Sequence, residues 1–491
     1  MSALKAGDSF HDAPPLGSDR GSLEAEAPAL LPIIDSQPGI HIYARSHEKF
    51  TALSRTKWET TDMTPLAIAR PMSEVEISAV VVVCTQANIP IAIRSGGNDV
   101  SERSRVDGGV VIDMRSMDSM ILSMDRQSIR IGGGVNSGNL LKFLDKNALD
   151  TPCGWGHEIG YASWACGGGY GLECGTRGLG VDQIIAGRVV TASGDVLEAQ
   201  EGHGADDALW ALRGGGAGVI GVVSELTIKV YPRPKALAKY IWFPYAEAEK
   251  VFGNMQKLYQ DDFPEKFSGE VFLIHPLDNG GIINHFFWWQ LEEDGSDLEK
   301  AKDYHRRILE CGTVVYDTVR DKEDHWSETT PFQFLYSIET HSTDNRMVNH
   351  NKSCVVPSFS AELGAIFARH PMPNTISAVV LHNCHGAGAR RDVSAAFGNR
   401  NPHLLVGLSV QCSWDDDEMK KKMTTWPTEV YEEIQSAGLA TEWKYCNFNP
   451  QEQGDGKMYL GEGGVKRMRE VKKRLDPDNL FSSSSPDLGD R

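Results

Sequence analysis

Three glycine-rich turns, each joined to a β-branched strand, constrain this chain more than any other feature. The first lies in IAIRSGGNDVSERSRVDGGVVID, residues 91–113. An apolar strand, Ile91 to Ile93, stops at Arg94-Ser95-Gly96-Gly97, and a second strand follows at Val110-Val111-Ile112. Adjacent glycines let backbone N–H groups turn outward and meet a ligand with no Cβ in the way. Alone, the pair also suits a plain hairpin turn. The second block is Gly167-Gly168-Gly169-Tyr170-Gly171, followed by a strand over Ile184 to Thr191 and a Ser193-Gly194-Asp195 turn. The third is Leu209-Trp210-Ala211-Leu212-Arg213-Gly214-Gly215-Gly216, again with a strand behind it. Three such turns fit a cradle for an extended, phosphate-bearing cofactor. They do not match the short dinucleotide βαβ fingerprint. Gly214 to Gly216 opens no helix, and no acidic residue follows at the ribose-binding spacing.

Two further motifs complete a pattern: Tyr445-Cys446-Asn447 and Asp476-Pro477-Asp478-Asn479-Leu480-Phe481. With the three turns, in this order, the chain resembles flavoprotein oxidases of the vanillyl-alcohol-oxidase and berberine-bridge-enzyme type, from about Trp58 to Phe481. The resemblance implies an α+β protein with a PCMH-type FAD-binding domain and a substrate domain. It implies FAD contacts at Arg94, Ser95, Gly96, Gly97, Asn98, Asp99, Gly156, Gly160, Gly167, Gly168, Gly169, Tyr170, Gly171, Val222 and Asn447.

The residues agree with such a layout. Ser73 and Glu76 form a capping box that opens a helix to about Ala87, between a short strand at Leu66 to Ala69 and the strand at Ile91. A further strand is expected at Ser128 to Gly133 and a helix at Asn139 to Asn147. Residues 235–439 carry long apolar, alternating runs at 269–275, 282–291, 376–384 and 404–412, separated by helices at 298–310 and 428–437. That texture predicts an antiparallel sheet with helices on one face. Trp288 and Trp289 must then point to opposite faces, so at most one lines a pocket. We expect an FAD-binding domain over 41–234 completed by 440–481, a substrate domain over 235–439, and flexible tails at 1–40 and 482–491.

Composition narrows the function. The 491 residues are 41% apolar, enough for real cores, and the net charge is −18, from 67 acidic and 49 basic residues. Nucleic acid is therefore not an expected partner. Nine cysteines without paired spacing argue against a disulfide framework or a zinc site. No apolar run reaches a membrane span and no secretory leader is visible, so a cytoplasmic protein without a membrane partner is expected. The Asn351-Lys352-Ser353 sequon carries no weight without a leader.

The chain departs from the family where chemistry is expected. The histidine that links flavin after Arg-Ser-Gly-Gly is replaced by Asn98, which cannot act as the nucleophile. The linking cysteine, fifteen residues before the closing glycine, falls on Gly156; Cys153 and His157 lie nearby. FAD should therefore be non-covalent, held by backbone N–H groups at Gly96, Gly97 and Gly167 to Gly169. The family's catalytic second tyrosine is Phe448, and its Tyr-Gly-x-Asn run is Leu460-Gly461-Glu462-Gly463. The remaining candidates for proton transfer are Tyr445, His385 and His382. His382 falls on the opposite strand face by alternation.

These readings predict an FAD-dependent oxidase of a small, largely apolar secondary metabolite. Hydride would pass to the flavin, and molecular oxygen would take the electrons on. The alternative is a non-redox isomerase or cyclase with structural FAD.

Overall fold

A computed structural model of the chain describes residues 18–202, 204, 206–275, 281–317, 328–337, 346–450, 452, 454–484 and 486–489. The fold is α+β. A small mixed sheet runs in the order His41–Ala44, Ala67–Arg70, Val110–Asp113, Ile91–Arg94, with the last three strands parallel. The helix Glu74–Gln86 connects two of them and buries Ile77, Val80, Val81 and Cys84. Ser73 caps it by accepting the N–H of Glu76, but the Glu76 carboxylate reaches back to the N–H of Met72 rather than Ser73. A five-stranded antiparallel sheet follows in the order Met120–Leu122, Ser128–Gly132, Val222–Lys229, Ile184–Val190, Val196–Gln200. Beside it lies the helix Ser137–Lys146, capped by Asn136.

The large sheet is antiparallel throughout. Its central strands are Ala236–Pro244, Ile282–Gln290, Phe267–Ile274, Ala378–Cys384, His403–Ser413 and Met347–Val356, in that order. Alternation decides what each face buries. Val271, Leu273, Ile283, Phe287, Trp289, Val379, Leu381, Val406 and Leu408 pack under helices Ala248–Asp261, Leu298–Leu309, Ala361–Arg369 and Thr425–Ser436. Phe286 and Trp288 point the other way, into the core shared with the five-stranded sheet. The two tryptophans do take opposite faces, and neither lines the cavity described below. A short helix, Pro331–Ser337, covers that second face, with Phe334 on Trp288.

Both expected tails need correction. Residues 1–17 lie outside the described residues, but Arg20–Glu26 and Leu31–Ser36 are helices. Leu23, Ala27, Leu30 and Ile33 make one apolar stripe, buried against Ile40, Ile77 and Val81. At the other end Ser484 lines a cavity, the N–H of Asp487 donates to Asp455, and Leu488 is buried; residues 485, 490 and 491 are outside the described set. The helix Lys457–Leu475 breaks at Gly461, where φ is 70°. Its Val465, Met468 and Val471 pack with Leu209, Leu212 and Val219 of the third glycine block. Arg467 pairs with Asp207 at 2.7 Å, and Lys472 donates to the carbonyl of Val219 at 2.8 Å.

Candidate functional site

A cavity of about 240 Å³ lies between the glycine loops and the large sheet. One wall is Ser95, Gly96, Gly97, Asn98 and Asp99, with Gly133, Gly154, Gly160 and Gly218 nearby. The opposite side is formed by Trp155, Tyr170, His382, Tyr445, Asn447 and Phe448.

Two loops cross on the first wall, and their glycines are needed there for contact with each other. A Cβ on Gly96 would sit 2.2 Å from the carbonyl oxygen of Glu158 and 2.4 Å from the nitrogen of Gly160. Backbone cannot yield as a flexible side chain does. Gly96→Ala is therefore expected to cost about 1–3 kcal/mol and to lower bound FAD per chain. Thermal unfolding and the absorbance of purified protein would check both; an unchanged melting point and flavin content would refute it.

The other glycines of the expected cofactor set stand off this wall. Gly167, Gly168, Gly169 and Gly171 do not line the cavity. A Cβ on Gly167 would meet the Asn447 amide at 2.5 Å, and one on Gly171 would meet the carbonyl oxygen of Cys153 at 2.4 Å. The N–H of Gly168 is bonded to Ala165, and that of Gly169 donates to the Tyr445 hydroxyl at 3.3 Å. Gly167, Gly168 and Gly169 seat Tyr445 and Asn447. Gly156 also lies off the wall, against Ile159. Arg94 is fully buried, donating to the carbonyls of Leu53, Ser54 and Ser104, so it anchors the loop from behind. Val222 turns into the core beside Phe481, and its neighbour Val223 reaches the cavity, because strand neighbours alternate.

The catalytic candidates separate as well. His385 does not line the cavity. It lies past the end of its strand, stacked on Phe263 at 3.9 Å, and burial pushes its imidazole down to about 4. His382 is the histidine on the wall, which reverses the face expected from alternation. Its Nδ1 contacts the carboxylate of Glu270, a buried residue on the adjacent strand. The register sets Val271 opposite Leu381, which brings Glu270 and His382 to the same face. Burial raises the Glu270 carboxyl above its ordinary value, although His382 pulls the other way.

Tyr445 is held from three sides. Its hydroxyl oxygen accepts from Gly169 and, at 3.1 Å, from the amide of Asn447. Its ring meets Tyr170 edge-on at 4.9 Å. Asn449, which the sequence did not single out, donates to the Tyr445 carbonyl at 3.0 Å and exchanges hydrogen bonds with Ser353 on the large sheet. Burial pushes the Tyr445 phenol above its ordinary value. Tyr170 bonds His403 at 2.6 Å, and the other ring nitrogen of His403 bonds the carbonyl of Asn401. Burial lowers His403 to about 4, so it is neutral, with Nδ1–H donating to Asn401 and Nε2 accepting from Tyr170. The strand His403–Ser413 does not reach the cavity. Phe448 covers it, and a Cβ on Gly407 would lie 2.9 Å from that ring.

The wall residues fit a heteroatom-rich cofactor. Asn98 Nδ2, Ser104 Oγ and Trp155 Nε1 are buried on the cavity and have no protein partner. An unpartnered buried donor costs stability unless a ligand meets it. Arg103 makes a bidentate pair with Asp99 and donates to the carbonyl of Cys446 at 3.0 Å, tying the first loop to the Tyr445 turn.

This architecture, with its glycine-walled cavity beneath an antiparallel sheet, defines the PCMH-type FAD-binding flavoproteins. The Physcomitrella patens BBE-like 1 structure superposes with a TM-score of 0.80 at 20% identity, covering 94% of this chain and 100% of that one. Residues 65–200 match the FAD binding domain family and residues 444–486 the berberine and berberine-like family. The FAD-linked oxidoreductase aurO of Gibberella zeae is 31% identical over 487 residues, spanning 98% of this chain and 92% of that protein. Tetrahydroberberine oxidase of Berberis wilsoniae is 22% identical, over 95% and 94%. The chain belongs to the berberine-bridge-enzyme-like family of FAD-linked oxidoreductases.

Proposed function

We propose that this enzyme oxidises a small, largely apolar, aromatic metabolite and holds its FAD without a covalent bond. The observation that carries the reading is the make-up of the cavity. Aromatic rings of Trp155, Tyr170, Tyr445 and Phe448 line the substrate side, next to a histidine–carboxylate pair that can handle a proton. Bound FAD supplies the two-electron acceptor for hydride, and molecular oxygen takes the electrons on.

The chain's own residues position and exclude. The ring walls favour a flat apolar substrate over a sugar and shed water from it. One relative is named for the oxidation of tetrahydroberberine. Tyr445 has its hydroxyl oxygen occupied by two donors, so its own proton is free to be given to a substrate heteroatom. The two positions where the family attaches flavin carry Asn98 and Gly156, and neither is a nucleophile. Cys153 is buried away from the cavity, and burial pushes its thiol far above the ordinary range. His157 is turned onto the carbonyl of Leu335 and the ring of Tyr336. Among the described residues no helix is long and apolar enough to cross a membrane.

Two measurements test this. Intact mass of the denatured protein should equal the bare chain, with all yellow colour in the supernatant; a mass larger by one FAD would refute non-covalent binding. Under anaerobic conditions, substrate should bleach the flavin. Product formed without bleaching would select the isomerase or cyclase instead.

A further inference from the structure

Oxidising a C–H next to O–H or N–H needs an acceptor for the heteroatom proton. The family position for that group is Phe448, a bare ring. Other groups on the cavity are already committed. Asp99 is paired with Arg103, the Tyr445 oxygen accepts two hydrogen bonds, and the Tyr170 hydroxyl is bonded to His403. His382 remains. We infer that Nε2 of His382 is the proton acceptor of the oxidation, and that Glu270 is the positioning residue that fixes its ring. This assignment rests on the redox reading above.

The geometry is that of an oriented base. Glu270 is 1% exposed and engages Nδ1, which fixes the tautomer with Nδ1–H toward the carboxylate and leaves the Nε2 lone pair for the cavity. The ring is clamped on its remaining sides by Tyr170 at 6.0 Å, Phe448 at 5.9 Å and Phe272 at 6.4 Å. Asn383 donates to the carbonyl of Gly269 at 2.7 Å, which locks the two strands beside the pair. The other Glu270 oxygen, Oε1, is buried without a partner, so this carboxylate lacks the solvation an isolated anion requires.

The step balances. As the substrate carbon loses hydride to the two-electron acceptor, its heteroatom–hydrogen bond breaks and the proton moves to Nε2. The electron pair of that bond becomes the new carbon–heteroatom π bond. The resulting imidazolium faces the Glu270 carboxylate, so a buried pair with net negative charge becomes neutral. Burial raises the Glu270 carboxyl, which favours taking up that proton.

The test begins with wild-type holoenzyme and a panel of benzylic alcohols and benzylic amines, scored by anaerobic bleaching. The best compound is then carried to the variants. His382→Ala should bleach roughly 10²–10⁴-fold more slowly at unchanged FAD content, and added imidazole should restore rate. Glu270→Gln should lose rate with KM held. A readout without turnover uses 4-nitrophenol, whose phenolate is coloured. Wild type should shift bound ligand toward phenolate, and His382→Ala should not. A His382→Ala enzyme that bleaches like wild type overturns the assignment alone, as do equal phenolate bands in both proteins or none in either. A slow variant that imidazole does not restore also overturns it. A wild type bleached by no compound overturns the redox reading and this assignment with it.

Discussion

Asp113→Asn is expected to destabilise the protein by about 3–5 kcal/mol, the range for removing one partner of a buried charge cluster. Asp113 ends the strand that carries the first glycine turn's partner and is fully buried. Its carboxylate accepts from Arg115 at 2.8 and 2.6 Å, lies 3.8 Å from Arg70, and caps the following turn through the N–H of Arg115. The buried Arg94 shares its field. Burial alone would raise this carboxyl, but Arg115, Arg94 and Arg70 outweigh it and hold it at about 2, against an ordinary value of 3.8. The sign follows. A folded-state value below the unfolded one gives stability that is complete above about pH 4 and lost as pH falls through about 2. Wild type and variant should therefore differ widely at neutral pH and converge in strong acid. Denaturant midpoints from pH 2 to 7 measure this. A neutral-pH difference under 1 kcal/mol, or one that does not shrink in acid, would contradict it. FAD content should fall too, since Arg94 holds the loop behind Gly96.

Tyr445→Phe is expected to slow anaerobic flavin reduction by roughly 10²-fold, with the fold intact. The ring keeps its contacts with Tyr170 and Phe448; the loss is one hydroxyl at the cavity wall. That hydroxyl is aimed by its two donors, so removing it also leaves the Gly169 N–H and the Asn447 amide without this acceptor. Because burial raises the phenol, it stays protonated and donating up to its ordinary range and beyond. The rate profile should therefore show no loss from Tyr445 below about pH 10. Rates equal to wild type would remove Tyr445 from the mechanism.

Local order carried far in the sequence, and pairing across strands carried little. The helix start at Ser73, the strands at 91–94 and 110–113, and the opposed faces of Trp288 and Trp289 follow from neighbours in the chain. The His382–Glu270 pair does not: its members are 112 residues apart and meet only through register. His385 drew attention because a histidine at a strand end looks exposed to a site. The strand stops at Cys384, and the next residue turns away onto Phe263. Val222 and Val223 likewise part by one residue, one side chain in the core and the next on the cavity. The triple glycine was legible as a motif but not in its job, since clearance for Asn447 and clearance for a ligand demand the same missing Cβ. The N-terminal stripe of Leu23, Ala27, Leu30 and Ile33 was hidden in a segment rich in proline and acidic residues.

The large sheet keeps two separate ledgers in one set of strands. Val271, Val379 and Leu381 answer only to the helices, while Glu270, Phe272, Val380 and His382 share the other face. Such strands uncouple heritable change in chemistry from change in foldability. A lineage can rewrite every second letter and acquire a new substrate without disturbing the helix-packed half. Combinatorial libraries built on this scaffold should randomise position 448, on the cavity wall, together with 272 and 380 behind it, and leave 271, 379 and 381 alone. Most members of such a library should fold, and they should differ in what they oxidise.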